Sequence, residues 1–181
     1  FESVTKLKSG IGKENQNQFI EVLQTIENFV DDRDGKPYGN VTAWDNSRVF
    51  VIDSLSGLNT MAWKLTIGNR PTAAQGEWGI AQNILFDLIN ELVSTCKCYF
   101  VLLAHIERET DEVTGGSKIM VASLGKKLAP RLTPIFSEVI MSIREGDKFT
   151  WSTVVPQADL KTRALEWKAG LAPTFEPLVA A

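Results

Sequence analysis

A chain of 181 residues is long enough to bury one substantial core, and 44% hydrophobic with 23% charged residues excludes a wholly disordered or fibrous polypeptide. Its net charge of -3 excludes a global basic footprint, so any nucleic-acid contact has to come from local loops or from a channel built by several copies. Cys96 and Cys98 form a C-x-C with His105 as the single histidine, too few ligands for a structural zinc; reduced thiols in the cytoplasm are the expectation. The apolar run 99–104 is far short of the roughly 20 residues a membrane-spanning helix needs. Residues 1–13 mix charges with isolated apolar positions, unlike a signal peptide. The chain opens on Phe1 and not on Met, which leads to the expectation of a true N-terminus further upstream.

Apolar residues at 19, 20, 22, 23, 26, 29 and 30 predict a helix over 18–30, closed by the turn-rich run from Asp31 to Pro37. Residues 49–52 are β-branched and aromatic, the composition of a buried parallel strand. The stretch 54–77, rich in Gly, Asn and Thr, reads as a long loop with at most short helical pieces, and loops of that length are functional or disordered. Apolar positions 80, 84, 85, 88, 89, 92 and 93 make 79–95 the clearest helix. A second buried strand follows at 99–104, then a polar, mobile loop at 106–117 containing Gly115-Gly116. A helix over 119–132, limited by Pro130 and Pro134, is predicted next. Segments 138–143 and 149–155 flank Glu145-Gly146-Asp147-Lys148, a hairpin signal, and Pro173 and Pro177 mark 166–181 as an extended tail. Strand, helix, strand with a long crossover implies an α/β domain: a mainly parallel sheet flanked by helices, with the antiparallel hairpin added at one edge.

Asp53 ends the first strand and is followed by Ser54. A carboxylate at the carboxyl end of a parallel strand sits where open α/β sheets bind ligands, which suits a Mg2+ site. The plainer reading is a cap, since Asp and Ser after a strand commonly start a turn or a helix. Both stay open on these residues alone. Between 59 and 78, Trp63 and Trp78 alternate with Lys64 and Arg70, a pattern that suits stacked bases and paired phosphates of a single strand, or ordinary packing groups. Lys118, with Lys126, Lys127 and Arg131, adds a candidate phosphate-facing strip. Glu77, just before the predicted helix, is a candidate for polarising a water.

The run Val51-Ile52-Asp53-Ser54-Leu55-Ser56-Gly57-Leu58 resembles the Walker B segment of RecA-like P-loop ATPases. Trp78-Gly79-Ile80-Ala81, the long helix and the strand ending in Ala104-His105-Ile106 follow in that family's order. Thr114-Gly115-Gly116-Ser117-Lys118 resembles the motif at the end of its second DNA-binding loop, and Leu160-Lys161-Thr162-Arg163 stands where the family places a basic pair. The overall likeness is nearest to phage nucleotide-binding proteins of this superfamily, including single-strand annealing ATPases. It is carried also by Ser123-Leu124-Gly125-Lys126-Lys127-Leu128 and Phe136-Ser137-Glu138-Val139-Ile140, and it covers residues 49–165.

The resemblance implies that Asp53, with Ser54, holds Mg2+ through water beside ATP. His105 would occupy the strand-end sensor position, where relatives carry Gln or His. Lys161 and Arg163 would reach across a subunit interface to a neighbour's nucleotide. Trp63, Lys64, Arg70 and Lys118 would face DNA. The implied protein is an oligomeric ATPase of DNA recombination or annealing, a ring or filament in the host cytoplasm, with no membrane partner. A helicase or packaging motor of the same superfamily, or a nucleotide-independent assembly module keeping the fold, are the alternatives.

One part of the family pattern is missing. A phosphate-cradling loop needs G-x-x-x-x-G-K-[ST]. Gly12-Lys13 has Glu14 after it and Leu7 where the first Gly belongs; Gly35-Lys36 precedes Pro37; Gly125-Lys126 falls in a predicted helix downstream of Asp53. None qualifies, so residues 1–165 are expected to form a partial RecA-like core. A Walker A loop is expected upstream, and this piece alone should neither bind ATP tightly nor turn it over.

Overall fold

The computed structural model describes residues 17–110 and 115–180. Gly12-Lys13 and Thr114, both cited above, lie outside the described residues. The chain divides into two compact units: one running to His105 and joined by Ala122–Leu128, the other formed by Ile106–Val121 and the chain from Ala129 onward.

In the first unit, helix α1 (Gln18–Glu27) buries Phe19, Val22 and Ile26, the stripe its periodicity predicts. It ends earlier than expected because Phe29 and Val30 leave the helix as β1 (Phe29–Val30), antiparallel to β2 (Pro37–Gly39). The turn between them is built on Asp31, a buried carboxylate that accepts from the Arg33 N–H at 2.9 Å and from the Arg33 guanidinium at 2.7 Å. A short 3-10 turn (Val41–Ala43) leads to Trp44, whose ring sits among Phe29, Tyr38 and Phe50 at centroid distances of 5.3, 6.4 and 6.2 Å. Arg48 lies 5.3 Å from both the Tyr38 and Trp44 rings, a cation closing the aromatic cluster on its solvent side.

Strands β3 (Val49–Asp53) and β4 (Tyr99–Leu103) pair in parallel, Val49 opposite Tyr99 and Asp53 opposite Leu103. Between them run α2 (Leu55–Ile67) and α3 (Gln75–Thr95), packed on each other. The long loop expected over 54–77 is therefore corrected: thirteen of its residues form α2, and its last three open α3. Gly57, Asn59 and Thr60 lower the local propensity, but Leu55, Leu58, Met61, Ala62 and Ile67 form a buried stripe. Packing decides such a case, since most helical stability in proteins comes from the buried face. Thr60 and Thr66 return their hydroxyls to the carbonyls of Ser56 and Ala62, four residues back. In α3 the inner face is Ala81, Leu85, Leu88, Ile89 and Leu92.

The second unit corrects two further expectations. Residues 106–110 are not a loop and 119–121 are not helix: β5 (Ile106–Thr110) pairs antiparallel with β6 (Ser117–Val121). The strand Ile106-Glu107-Arg108-Glu109-Thr110 is charged and mostly exposed, which hides its period, whereas Ile119 and Met120 of β6 are buried. What is left of the predicted helix is α4 (Ala129–Ile135), with Pro134 inside it. The hairpin is present as β7 (Met141–Glu145) and β8 (Lys148–Ser152), turning at Gly146, whose φ of 61° favours glycine. After it, the chain runs back along β8: Trp151 and Leu171 exchange backbone hydrogen bonds of 2.9 and 2.8 Å. The buried Thr153 hydroxyl donates to the Glu166 carbonyl at 2.6 Å and accepts from the Lys168 N–H at 2.9 Å. A last turn, α5 (Glu176–Val179), follows Phe175, whose ring meets Trp151 edge-on at 5.1 Å.

Among the described residues the molecule is thus mixed α/β, with one parallel and three antiparallel strand pairs, where a mainly parallel sheet was expected. No helix of the described residues is long and apolar enough to cross a membrane.

Candidate functional site

The register of β3 and β4 brings Asp53 and the chain entering His105 to the same end of two adjacent parallel strands. Beyond Asp53, across a cis peptide bond, Ser54 stands at the N-terminal boundary of α2 with extended backbone. Its hydroxyl makes no capping bond; the first turn is closed only by the Ser54 carbonyl, which accepts from Gly57 and Leu58 at 3.0 and 3.2 Å. The capping alternative for these side chains is therefore not what the structure uses. The exposed Asp53 carboxylate and the Ser54 hydroxyl have no hydrogen-bond partner among the described residues. They stand beside the unpaired N–H groups of a thirteen-residue helix, an end whose dipole favours negative charge.

His105 is also exposed, and its carbonyl accepts from the Ala122 N–H at 2.7 Å. The Ala122 carbonyl in turn accepts from Asn59 Nδ2 of α2 at 3.3 Å, while Asn59 Oδ1 is buried without a partner. Three residues further on, Gly125 packs against α3: a Cβ there would stand 2.7 Å from Gln82 Nε2. Trp78, one helical turn before Gln82, stacks on Trp63 of α2 with ring centroids 4.1 Å apart. A continuous path of contacts thus joins the strand-end histidine, through residues 122–125, to the tryptophan pair. Asn59 and Gln82 were not singled out for a role by the sequence, and Gly125 only as part of a motif, because each matters through a partner distant along the chain.

Gly125 has a φ of 70° and lies in a loop, outside any helix. Gly125→Ala combines a left-handed backbone with the clash on Gln82 and should destabilise the fold by about 1–3 kcal/mol. A urea midpoint unchanged from the wild type would contradict this placement.

The other DNA-facing candidates are partly committed elsewhere. Lys64 sits in the last turn of α2. Arg70 is ion-paired with Glu77 and donates through Nε to the Ile67 carbonyl at 3.0 Å. Glu77 also accepts from the Ala74 N–H at 2.7 Å, so both its oxygens are engaged and it caps α3. Arg70 first, and the Ala74 amide second, hold the Glu77 carboxyl below its ordinary value. A carboxyl lowered in the folded state adds stability above its unfolded pKa and loses it as pH falls through the folded one. Glu77→Gln should therefore lower the melting temperature slightly at pH 7, and the difference should fade below about pH 4, where the unfolded glutamate is protonated.

In the second unit, Lys118 pairs with Asp159 at 2.7 Å. Lys161 Nζ donates to the Pro134 carbonyl at 2.8 Å, whereas the exposed Arg163 guanidinium has no partner among the described residues. Of the two cysteines, burial pushes the Cys96 thiol up to about 11, which keeps it protonated and unreactive at neutral pH.

No group of three or more His, Cys, Asp or Glu side chains able to hold a metal ion occurs among the described residues. Asp53 and Ser54 offer hard oxygen donors, which fit a Mg2+ held largely through water and phosphate; they do not themselves form a phosphate cradle. No family model, curated protein or solved structure matches the chain.

Proposed function

We propose that this chain forms the Walker B part of a RecA-like P-loop ATPase acting, as an oligomer in the host cytoplasm, in DNA recombination or single-strand annealing. The observation that carries this reading is the parallel β3–β4 pair with Asp53 and His105 leaving the same end of it, the end at which open α/β sheets bind ligands. In this reading Asp53 and Ser54 hold Mg2+ through water, and the ion neutralises charge on the nucleotide phosphates when bound. His105 reports on that end of the sheet to residues 122–125 through its carbonyl. Trp63 and Trp78, with Lys64 nearby, offer the stacking surface and positive charge a single strand requires.

A second observation supports the proposal. Val49, Val51 and Leu103 lie on one face of the strand pair, with 42%, 37% and 45% of their surface exposed. Parallel strands are ordinarily covered on both faces, so this apolar face calls for further strands or helices. The phosphate loop is assigned to polypeptide other than the described residues.

The test is Mg2+-dependent ATP hydrolysis by the full gene product, with strand annealing and strand displacement measured alongside. Displacement without annealing would favour a helicase or packaging motor. No turnover, and no heat on addition of Mg-ATP in a calorimeter, would replace the proposal with a nucleotide-independent assembly module.

A further inference from the structure

The family resemblance treats Lys161 and Arg163 as one basic pair, but the structure gives the two residues different work. Val139 and Lys161 exchange backbone hydrogen bonds of 2.7 and 3.1 Å, which tie the 161–165 turn to the chain before β7. One residue earlier, Glu138 Oε1 accepts from the N–H groups of Arg163 and Ala164 at 2.7 and 2.9 Å. Thr162 Oγ1 accepts from the Leu165 N–H at 2.9 Å and closes the turn. The Lys161 ammonium donates to the Pro134 carbonyl at 2.8 Å. All of this fixes backbone, and among the described residues only one polar side chain of the turn is left outside the network: the exposed guanidinium of Arg163.

Glu138 makes this arrangement at a cost. Its second oxygen, Oε2, is buried without a hydrogen-bond partner, and a buried acceptor left unpaired is unfavourable. The charged acceptor gives stronger bonds to the two amides, and those two amides are the ones that set the direction of Arg163. We propose that Glu138 is the positioning residue for Arg163, and that Lys161 braces the same turn and does not serve as a second cation. The proposal rests on the ATPase reading above: the group Arg163 meets is a transferring phosphoryl group on nucleotide held by a second copy of this chain. An arginine on a pinned turn loses less freedom on engaging that group than one on a loose turn, and the saving appears in the rate of the chemical step.

The test compares Arg163→Ala, Glu138→Ala, Glu138→Gln and Lys161→Met in the full gene product, reading kcat and KM for Mg-ATP and hydrogen exchange at the Arg163 and Ala164 amides. Arg163→Ala should lower kcat by about 10³-fold or more with KM little changed. Glu138→Ala should expose both amides to exchange and lower kcat by about 10–100-fold, again without raising KM. Glu138→Gln keeps an acceptor oxygen and should restore kcat to within about threefold of the wild type, as should Lys161→Met, although the latter melts earlier. If Glu138→Ala does not fold, Glu138→Asp, which withdraws the carboxylate by one methylene, carries the same expectation. Exposed amides with wild-type kcat in the Glu138 variants, or a loss in Lys161→Met equal to that in Arg163→Ala, would overturn the assignment. If the wild type itself shows no turnover, the ATPase reading fails and this one with it. Turnover that depends on Asp53 but ignores Glu138 removes the positioning role alone.

Discussion

Asp53→Ala in the full gene product should lower Mg-ATP turnover by about 10³-fold or more, equivalent to about 4 kcal/mol of transition-state stabilisation. The size follows from what the residue is left to do. Its carboxylate caps nothing and pairs with nothing among the described residues, so removing it breaks no structural bond. On the proposed reading, this charged group at the exposed end of a strand, beside the N-terminus of α2, has its worth in what it binds. The fold should accordingly survive, with a melting temperature within a degree or two of the wild type. Asp53→Asn keeps shape and loses charge, and should be nearly as inactive, because the metal requires the anion. Ser54→Ala should cost less, about tenfold, since a hydroxyl contributes one neutral donor. Wild-type turnover in Asp53→Ala would sink the assignment of the site.

Trp44→Ala should destabilise the protein by about 3–5 kcal/mol, the range for deleting a large buried aromatic side chain. Trp44 is 8% exposed and its ring is the common neighbour of Phe29, Tyr38 and Phe50. The loss combines the transfer term for the indole, a cavity that the flanking rings cannot fill, and the edge-to-face contacts, each worth about 0.5–1.5 kcal/mol. It also leaves the Tyr38 carbonyl without its 2.8 Å bond from Trp44 Nε1. Trp44→Phe separates these contributions: it keeps a ring and loses the hydrogen bond and some volume, for an expected 1–2 kcal/mol, roughly. Against a typical stability of about 5–15 kcal/mol, the alanine variant should show a large drop in urea midpoint. A change under about 1 kcal/mol would mean that the cluster is peripheral to the stability of its unit.

The two variants probe different kinds of residue. Trp44 contributes to stability through many mutual contacts, whereas the proposed role of Asp53 is to bind a ligand, since it makes no such contacts among the described residues. Glu77 and Arg70 show how the same residue types read differently once partners are known. As an isolated acid near a predicted helix, Glu77 is a candidate base; as the partner of Arg70 and the Ala74 amide it is a cap. Lys118 and Lys161 also have partners in the fold, Asp159 and the Pro134 carbonyl.

Sequence by itself determined the elements whose signal is local. Strands β3 and β4 are short β-branched and aromatic runs, α3 repeats its apolar residues at helical spacing from Ile80 to Val93, and the β7–β8 turn carries Gly146 where a positive φ is needed. These features depend on residue type and period, which need no knowledge of a partner. The order of Asp53, His105 and Arg163 along the chain was legible for the same reason. Tertiary structure decided the rest. Helix α2 forms despite Gly57, Asn59 and Thr60 because α3 supplies a surface for its buried stripe. Strand β5 exists because β6 pairs with it, placing Glu109 opposite Lys118. The aromatic cluster at Trp44 and the path from His105 to Trp78 each join residues far apart in the chain, a choice that depends on packing and not on local pattern. So it is with the site: the sequence could name Asp53 and Arg163 as candidates, but only the hydrogen bonds around them show which polar groups are engaged within the fold and which are not.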